Sequence, residues 1–495
     1  MARFGFCGPA YTSQSVTADC QSCINFYPEA DESGNGKSAL VLYPAPGLKL
    51  FVDLGGNQVR GQITFNGRTF VVVDSTFWEI FANGSSINRG IVAQDLNLVD
   101  MAAGPNQILI ASAGLMFVFD LTTNVLTALD PVTTVANVST VAFLDGFFVA
   151  LIKNSNKIQT SALLDATTWP GLNVNEVSEF PDNVVSMAIL HREVVLFGLK
   201  ASVVYDDLGL SPGSPLGVNQ SAGVIEQGAV ALYSPVNLDN TVFWLGQDSR
   251  GAGIAWRFSG YTPVRISTHA MEFAWSRYPT IADAIGYGYQ DQGHSFFVLT
   301  FPSGNATWVY DVATQLWHQR AAWNGLNFTR HLAQNHVYCF GKHLVGDFQS
   351  GKVYEMSIDF LTDNGQAIRR VRRAPHVSLE QQWMFHSQLE VILETGIGPQ
   401  PPLLDGQGNP RGPMASLRWS DDGGHTWSNY HDEDMGQTGK YRTRVMFRRL
   451  GRSRDRVYEL SCADPAIYRV IDAYLEATPN YKPSERISEQ LRKVS

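Results

Sequence analysis

Residues 62–74 read QITFNGRTFVVVD, and this stretch decides the class of fold. Two runs rich in β-branched and aromatic residues flank Asn66-Gly67, a dipeptide that favours a two-residue turn with positive φ at both positions. Residues 141–150, VAFLDGFFVA, repeat the arrangement around Asp145-Gly146. Hairpins of this kind predict antiparallel sheet.

A longer unit also recurs along the chain. Residues 117–127 read FVFDLTTNVLT and residues 308–318 read WVYDVATQLWH, so each has a strand, an Asp, a Thr-containing turn and a second strand. The outer strands of a propeller blade have this order, and strand-rich units of about 40 to 50 residues fit the known blade lengths. The pattern predicts an all-β protein with a β-propeller. Hairpins alone leave an ordinary sandwich open as the alternative.

Changes in composition divide the chain into four parts. We predict an N-terminal extended segment over residues 1–45 and the propeller over residues 46–365. Beyond a polar, basic boundary, residues 366–478 supply enough strands for a β-sandwich-like domain. Residues 479–495 form a charged tail with few large apolar residues, whose shape is expected to depend on a partner.

Composition bounds the class of protein. Of the 495 residues 44% are hydrophobic and 17% charged, which is typical of a folded globular chain. No window approaches the roughly 18 apolar residues of a membrane span, so no membrane insertion is expected. The five cysteines are few and odd in number, as in reduced proteins. Cys20-x-x-Cys23 resembles the start of a metal site, but no second ligand pair follows, and buried thiols are the favoured interpretation.

One sequence motif lies in the predicted sandwich. Residues 417–427, LRWSDDGGHTW, contain an Asp-box made of Ser420, Asp422, Gly424, Thr426 and Trp427. Asp422 is expected to accept hydrogen bonds from its own turn, and Gly424 to supply a positive φ. Asp-boxes also occur in sialidases, so the motif raises the question of enzyme against scaffold.

The sequence offers no catalytic constellation. A sialidase needs three arginines around a carboxylate and a Tyr/Glu pair, and only Arg250, Arg257 and Arg265 are loosely spaced for this role. Nucleophile-elbow, phosphate-loop and zinc-helix motifs do not occur. The densest histidines, His331, His336 and His343, match neither a helix face nor one side of a strand. We predict no catalytic, cofactor or metal site and no enzymatic activity.

Charge is distributed unevenly along the chain. The net charge of −9 argues against a protein that grips nucleic acid, although an acidic wall lets a duplex slide past. A basic run nevertheless occurs near the C-terminus: Lys440, Arg442, Arg444, Arg448, Arg449, Arg452, Arg454 and Arg456. Alternation at its start predicts a strand with three cations on one face. That face is solvated, contacts a protein or contacts DNA; the predicted interface residues are Arg442, Arg444, Arg448, Arg449 and Arg452.

Several short motifs in order resemble one protein family. They are NFYPE at 25–29, YPAPGL at 43–48, HREVVLFG at 191–198, WSDDGG at 419–424 and RRLGR at 448–452. Together with the hairpin array, they are similar to the packaged-DNA stabilisation or tail accessory (tail hub or nozzle) proteins of short-tailed bacteriophages. The resemblance spans nearly the whole chain, though each motif is short.

The resemblance implies a structural virion protein of the phage tail. Its expected partners are further copies of itself in a ring, expected to be a hexamer, the portal adaptor or head-tail connector, and a tail fibre, spike or plug. The ring would extend the DNA channel and help to retain the genome, with double-stranded DNA passing without sequence-specific binding. Assembly is expected in the host cytoplasm. The alternatives are a glycan-binding or sialidase-like propeller and a cellular propeller scaffold.

Overall fold

The computed structural model describes residues 2–399 and 401–479. Strands dominate these ranges, and one short α-helix, His269–Trp275, lies between two blades of a propeller. The prediction of an all-β fold with a propeller and a C-terminal sandwich is confirmed. The predicted charged tail lies, from residue 480 onward, outside the described residues.

In the described part of the chain, seven four-stranded units surround the propeller axis. Each innermost strand contacts the innermost strands of both neighbouring units, and the last contacts the first, so the ring is closed. Six blades consist of consecutive strands that follow one another from the axis outward: Val59–Phe65, Arg68–Val73, Thr76–Ile80 and Ser86–Ile91 (blade 1); Asp100–Ala103, Gln107–Ser112, Leu115–Asp120 and Val125–Ala128 (blade 2); Val138–Leu144, Phe147–Ile152, Lys157–Thr160 and Val174–Glu176 (blade 3); Ser186–Leu190, Glu193–Phe197, Ser202–Asp207 and Leu216–Val218 (blade 4); Val236–Leu238, Thr241–Gln247, Gly253–Ser259 and Thr262–Arg265 (blade 5); Ile285–Asp291, His294–Phe301, Ala306–Asp311 and Leu316–Trp323 (blade 6).

The seventh blade closes the ring with strands from both ends of the propeller sequence. Ala333–Cys339, Lys342–Asp347 and Lys352–Ser357 form its inner three strands, and Gly47–Asp53 pairs antiparallel with the last of them. Because the outer strand comes from the N-terminal side, opening the ring would break a β-ladder as well as side-chain packing. Short strands extend blades 4, 6 and 7: Val224–Ile225, Phe328–Arg330, Thr362–Asp363 and Gln366–Ala367.

Local turn chemistry explains the hairpins. Asn66 and Gly67 have φ of 49° and 73°, and Asp145 and Gly146 have φ of 47° and 96°, so both predicted turns have positive φ at both positions. The recurring longer unit forms the third and fourth strands of blades 2 and 6, as predicted. In blade 2 the Asp120 carboxylate accepts from the Thr123 amide at 2.7 Å, which fixes the turn between those strands.

The sandwich consists of two mostly antiparallel sheets that share one apolar core. The first sheet contains Ala2–Arg3, Phe26–Ala30, Leu40–Pro44, Met384–Leu393, Val445–Arg448, Arg452–Ser453 and Val470–Pro479. The second contains Tyr11–Thr12, Cys20–Ile24, Arg370–Arg373, Val377–Ser378, Met414–Ser420, His431–Asp434 and Asp455–Cys462. A separate short hairpin, Leu403–Leu404 with Pro410–Arg411, lies outside both.

The described N-terminal residues take part in the sandwich. Within residues 2–45, the predicted N-terminal extended segment, strands pair with C-terminal strands in both sheets. The buried Arg372 guanidinium holds this arrangement: it donates to the carbonyls of Phe6 at 2.6 Å and Pro9 at 2.8 Å, and to the Gln21 side chain at 2.7 Å. The pairing joins residues more than 300 positions apart, which local sequence patterns do not encode.

The two domains share a continuous sheet. Ile24 pairs in parallel with Gln319 of blade 6, so the second sandwich sheet extends directly from that blade. The next residue, Asn25, has φ of 56°, and its side-chain amide donates to the carbonyls of Ala321 and Arg369, both at 2.8 Å. These bonds fix the sandwich against the outer strand of blade 6.

Candidate assembly surfaces

The Asp-box forms the turn that its residue types predict. The Asp422 carboxylate accepts from the Thr426 amide at 2.8 Å, from the Thr426 hydroxyl at 2.6 Å and from the Ser420 hydroxyl at 2.7 Å. These bonds, led by that from the Thr426 hydroxyl, hold the pKa of Asp422 well below its usual range. Gly424 has φ of 98°, and its amide donates to the Ser420 hydroxyl at 2.8 Å.

The Asp-box turn packs on the N-terminal residues. A Cβ on Gly424 would lie 3.2 Å from the Sγ of Cys20, which shows how closely the turn approaches that strand. The turn is part of a longer connection than a tight hairpin, since Met414–Ser420 pairs with His431–Asp434. Arg456, which is buried, holds Asp421 through two hydrogen bonds of 2.6 and 2.8 Å. The Asp-box turn therefore connects the N-terminal residues with strand Asp455–Cys462 of the sandwich; we call this contact the clasp.

Stacked arginines join the Asp-box to the domain boundary. The guanidinium groups of Arg373 and Arg418 lie 4.6 and 4.7 Å from the ring centroid of Trp427. Both also form ion pairs with Glu459, whose side chain is almost fully buried. Arg369 stacks at 4.4 Å on Trp323 of blade 6. These cations stabilise the fold and are not available as a free basic surface.

The basic run is less regular than expected. Residues 440–444 do not form the predicted strand; the strand begins at Val445. Positive φ at Gly436 and Gly439 turns the chain before it, and the Tyr441 carbonyl accepts from the Thr395 hydroxyl at 3.1 Å. The alternation of cations along residues 440–444 therefore does not create one cationic face.

The five predicted interface arginines fall into different surroundings. Arg444 is paired with Glu390 at 2.6 Å. Arg442 follows Tyr441, whose carbonyl is hydrogen-bonded to Thr395 just beyond the end of strand Met384–Leu393. Arg452 is the β-ladder partner of Phe385 at the other end of this strand. At about 3.3 Å per residue, Phe385 and Thr395 are roughly 30 Å apart. The five arginines therefore do not lie side by side, and their role in an interface stays a prediction.

One group of these arginines forms a surface of its own, which we call the basic-aromatic edge. It comprises Trp383, Phe385, Arg448, Arg449, Arg452 and Arg454. Arg452 and Arg454 lie 4.8 and 5.0 Å from the Trp383 ring, and Phe385 is 46% exposed. No carboxylate in the described part of the chain forms a salt bridge with these four arginines. Arginine and exposed aromatic side chains together are typical of protein interfaces.

A hydrogen bond crosses the propeller axis at the face where the blades are connected to one another. The Tyr233 hydroxyl, which precedes blade 5, donates to the Leu98 carbonyl, which precedes blade 2, at 3.0 Å. Blades 2 and 5 are not neighbours, so this bond crosses the axis. Arg60 of blade 1 is buried and donates to the Asn97 carbonyl at 2.7 Å, which holds the same segment in place. A DNA duplex cannot pass along this axis.

The arginines and histidines considered for catalysis do not converge. Arg250 is exposed, Arg257 lies on the third strand of blade 5 and Arg265, on the fourth, pairs with Glu272. His331 is buried, whereas His336 and His343 contact each other at 3.0 Å between Nε2 and Nδ1. Burial lowers the pKa of His336 to about 3.

The structure reveals one arrangement that sequence reasoning missed. His376 contacts Asp455 through Nδ1 at 2.8 Å and lies 3.9 Å through Nε2 from the Sγ of Cys20. This order resembles a Cys–His–Asp triad, but the same Nε2 is 3.2 Å from the Val16 carbonyl, to which it can donate. Burial raises the pKa of Cys20 to about 11, so the thiol stays protonated at neutral pH. The three residues lie in distant parts of the sequence, so no sequence motif contains them all.

Membrane-spanning helices and metal clusters do not occur among the described residues. None of their helices has the length and apolar character needed to traverse a bilayer. Across residues 2–399 and 401–479 no three His, Cys, Asp or Glu side chains are grouped so that they could hold a metal ion.

Fold and surfaces define a two-domain all-β protein in which a propeller is joined to a sandwich by a shared sheet. Family models described as the β-propeller and the β-sandwich of bacteriophage P22 Gp10 match residues 12–360 and 369–478, respectively. The chain belongs to this family of short-tailed phage tail accessory proteins. It is a structural, virion-associated tail protein of the kind that stabilises packaged DNA.

No curated protein matches the chain. Among solved structures, the computationally designed Ika8 protein aligns with 14% identity and a TM-score of 0.38, over 71% of this chain and 99% of that chain. A likeness this low carries no argument.

Proposed function

We propose that the chain is a non-enzymatic ring subunit below the portal and its adaptor, where it prolongs the DNA channel and helps to retain the packaged genome. Family membership supports a tail protein that stabilises packaged DNA. The observation that supports this arrangement is the hydrogen bond from Tyr233 to the Leu98 carbonyl across the propeller axis. Since a duplex cannot pass through one subunit, a conduit must lie between several copies.

Charge segregation supports the same arrangement. Residues 47–365 carry 16 Lys and Arg against 26 Asp and Glu, a net charge of −10, whereas residues 366–495 carry 19 against 16, a net charge of +3. An acidic propeller wall repels phosphate and lets a duplex slide. The sandwich, with its basic-aromatic edge, is suited to contact acidic protein surfaces.

The proposed partners are further copies of the chain and other virion proteins. The ring is hexameric and assembles in the host cytoplasm onto the portal adaptor, and its outer surface docks a tail fibre, spike or plug protein. Among the arginines predicted to contact neighbouring subunits or the adaptor, Arg448, Arg449 and Arg452 are the best placed, since they share one edge. Double-stranded DNA is a passing cargo and not a sequence-specific ligand.

Particle composition tests this function. Purified virions should contain the chain in six copies, and electron microscopy should place it as a ring below the portal. The double variant Arg448→Glu/Arg449→Glu should fold but be absent from particles, which should then lose DNA. Arg442→Glu is the matched control and should be incorporated. Virions that lack the protein, or purified protein that hydrolyses or binds a sialylated glycan through its propeller, would contradict the proposal.

A further inference from the structure

Blades 3 and 4 present an unusual apolar surface, which we call the leucine face. It lies in the loops that join the third and fourth strands of these neighbouring blades. Its residues and their exposed fractions are Leu163 (62%), Leu164 (50%), Leu172 (76%), Leu208 (52%) and Leu210 (51%). Five leucines that are each at least half exposed on adjacent loops are the mark of an interaction site.

The leucine face is supported from below by glycines. A Cβ on Gly146 would lie 2.8 Å from Leu163 Cδ1, and a Cβ on Gly217 would lie 2.6 Å from Leu208 Cδ1. The Leu164 amide also donates to the Gly146 carbonyl at 2.7 Å, which ties the loop to the neighbouring turn. The side chains of Leu163 and Leu208 therefore rest on backbone while they stay exposed to solvent.

Acidic residues surround the leucines. Asp145 belongs to the turn under Leu163, Asp165 follows Leu164, and Asp207 precedes Leu208. The cation between the two blades, Arg192, is already paired with Asp145 at 2.9 Å. The leucine face is thus apolar at its centre and acidic at its margin.

We propose that the leucine face of one copy binds the basic-aromatic edge of a second copy. Phe385 and Trp383 supply apolar surface for the leucines, and Arg448, Arg449, Arg452 and Arg454 meet the surrounding carboxylates. Guanidinium–carboxylate pairs of this kind combine attraction with defined geometry. This proposal rests on the proposed ring function and assigns the two surfaces that join neighbouring copies in the ring.

A second copy fits these observations because the two surfaces are complementary and lie on different domains. A contact between unlike surfaces is heterologous, and it closes into a ring when the rotation between copies closes. The acidic excess of the propeller and the basic excess of the C-terminal part favour the same pairing. Each copy would use its edge on one side and its leucine face on the other.

Self-association of the full chain tests the contact by complementation. Variant Leu208→Arg disrupts the face, and variant Arg448→Glu/Arg449→Glu disrupts the edge, so each alone should sediment as a monomer. Their equimolar mixture should associate again, because the reversed edge meets the arginine-bearing face and the two unaltered surfaces meet each other. Analytical ultracentrifugation over a concentration series should show at least a tenfold weaker association for each single variant preparation.

Two controls and three outcomes make the test decisive. The control for the leucine face is Leu96→Arg, at a leucine that is 91% exposed elsewhere on the propeller. The control for the edge is Arg442→Glu, a charge reversal at the far end of strand Met384–Leu393. Both variants should associate like the wild type. Circular dichroism checks folding. Wild-type protein that stays monomeric, variants that associate normally, or a mixture that stays monomeric would each overturn the contact. Six copies in virions with an unaffected leucine-face variant would leave the proposed function standing.

Discussion

Gly423 of the Asp-box turn lies directly against Thr17 of the N-terminal residues. A Cβ on Gly423 would be 3.0 Å from the Cα of Thr17, and Gly423 has φ of 72°. The position thus has two independent requirements for glycine, one from backbone conformation and one from the approach of another backbone. A motif near the C-terminus is in this way used to hold the start of the chain.

Gly423→Ala should destabilise the sandwich by about 2 kcal/mol. It places a residue with a Cβ in a left-handed backbone conformation, which is strained, and forces the turn away from Thr17. Urea denaturation followed by tryptophan fluorescence measures the change. Gly406→Ala is the control, since no atom lies within 4 Å of its Cβ position and its φ is not positive. Equal midpoints for the two variants would show that the clasp contributes nothing.

Arg372→Met should cost about 3 to 5 kcal/mol. The substitution keeps the apolar stem but leaves the carbonyls of Phe6 and Pro9 without the donor that reaches them across the domain. Limited proteolysis should then cleave the first 20 residues faster than in the wild type. Arg250→Met, at an exposed arginine, should change neither stability nor cleavage, and similar behaviour of both variants would refute this role.

His294 should make stability fall at alkaline pH. It lies between Asp311 of blade 6 and Glu29 of the sandwich, at 2.8 and 2.7 Å, and the hydrogen bond to Asp311 is the main cause that raises its pKa to about 9. Because the folded pKa lies above the unfolded value of about 6.5, the stabilisation is present below pH 6.5 and lost as the pH rises toward 9. The loss is on the order of 3 kcal/mol.

The variant His294→Asn checks that assignment. Unfolding free energies measured in urea between pH 6 and 9.5 should decline for the wild type and stay nearly flat for the variant. A parallel decline in both proteins would assign the pH dependence to another group.

Asp422 should have the opposite dependence on pH. Hydrogen bonds lower its folded pKa below the unfolded value of about 3.9, so its stabilisation is present above pH 4 and lost as the pH falls below it. Asp422→Asn should therefore be less stable than the wild type at pH 7, with a smaller difference at pH 3. A difference that stays constant between these two pH values would contradict the assignment.

Tyr233→Phe should cost about 1 kcal/mol, since it removes one hydrogen bond across the propeller axis and leaves the Leu98 carbonyl without this donor. Genome retention in particles that carry the variant should be unchanged, because the proposed conduit lies between subunits. Differential scanning calorimetry measures the first effect and DNA release on heating the second. Leakage of DNA from otherwise intact particles would indicate that the axis itself is the barrier.

The sequence predicted the local features accurately where residue type alone fixes conformation. Asn66-Gly67 and Asp145-Gly146 adopt the expected turns, and Asp422 caps its own turn as expected. The surroundings of the basic run could not be predicted in this way, because its cations have partners in distant segments. Arg444 meets Glu390 and Arg456 meets Asp421, and nothing in the spacing of arginines identifies those carboxylates.

By itself the sequence determined strands, tight turns and the repeated blade unit, since steric limits on φ and alternation of side chains act within a few residues. Only the tertiary structure decided that Gly47–Asp53 closes the seventh blade and that Cys20–Ile24 enters the sandwich. It also brought together the leucine face and separated Arg442 from Arg452. These relationships depend on contacts between residues far apart in the chain, where packing and buried hydrogen bonds select one partner among many.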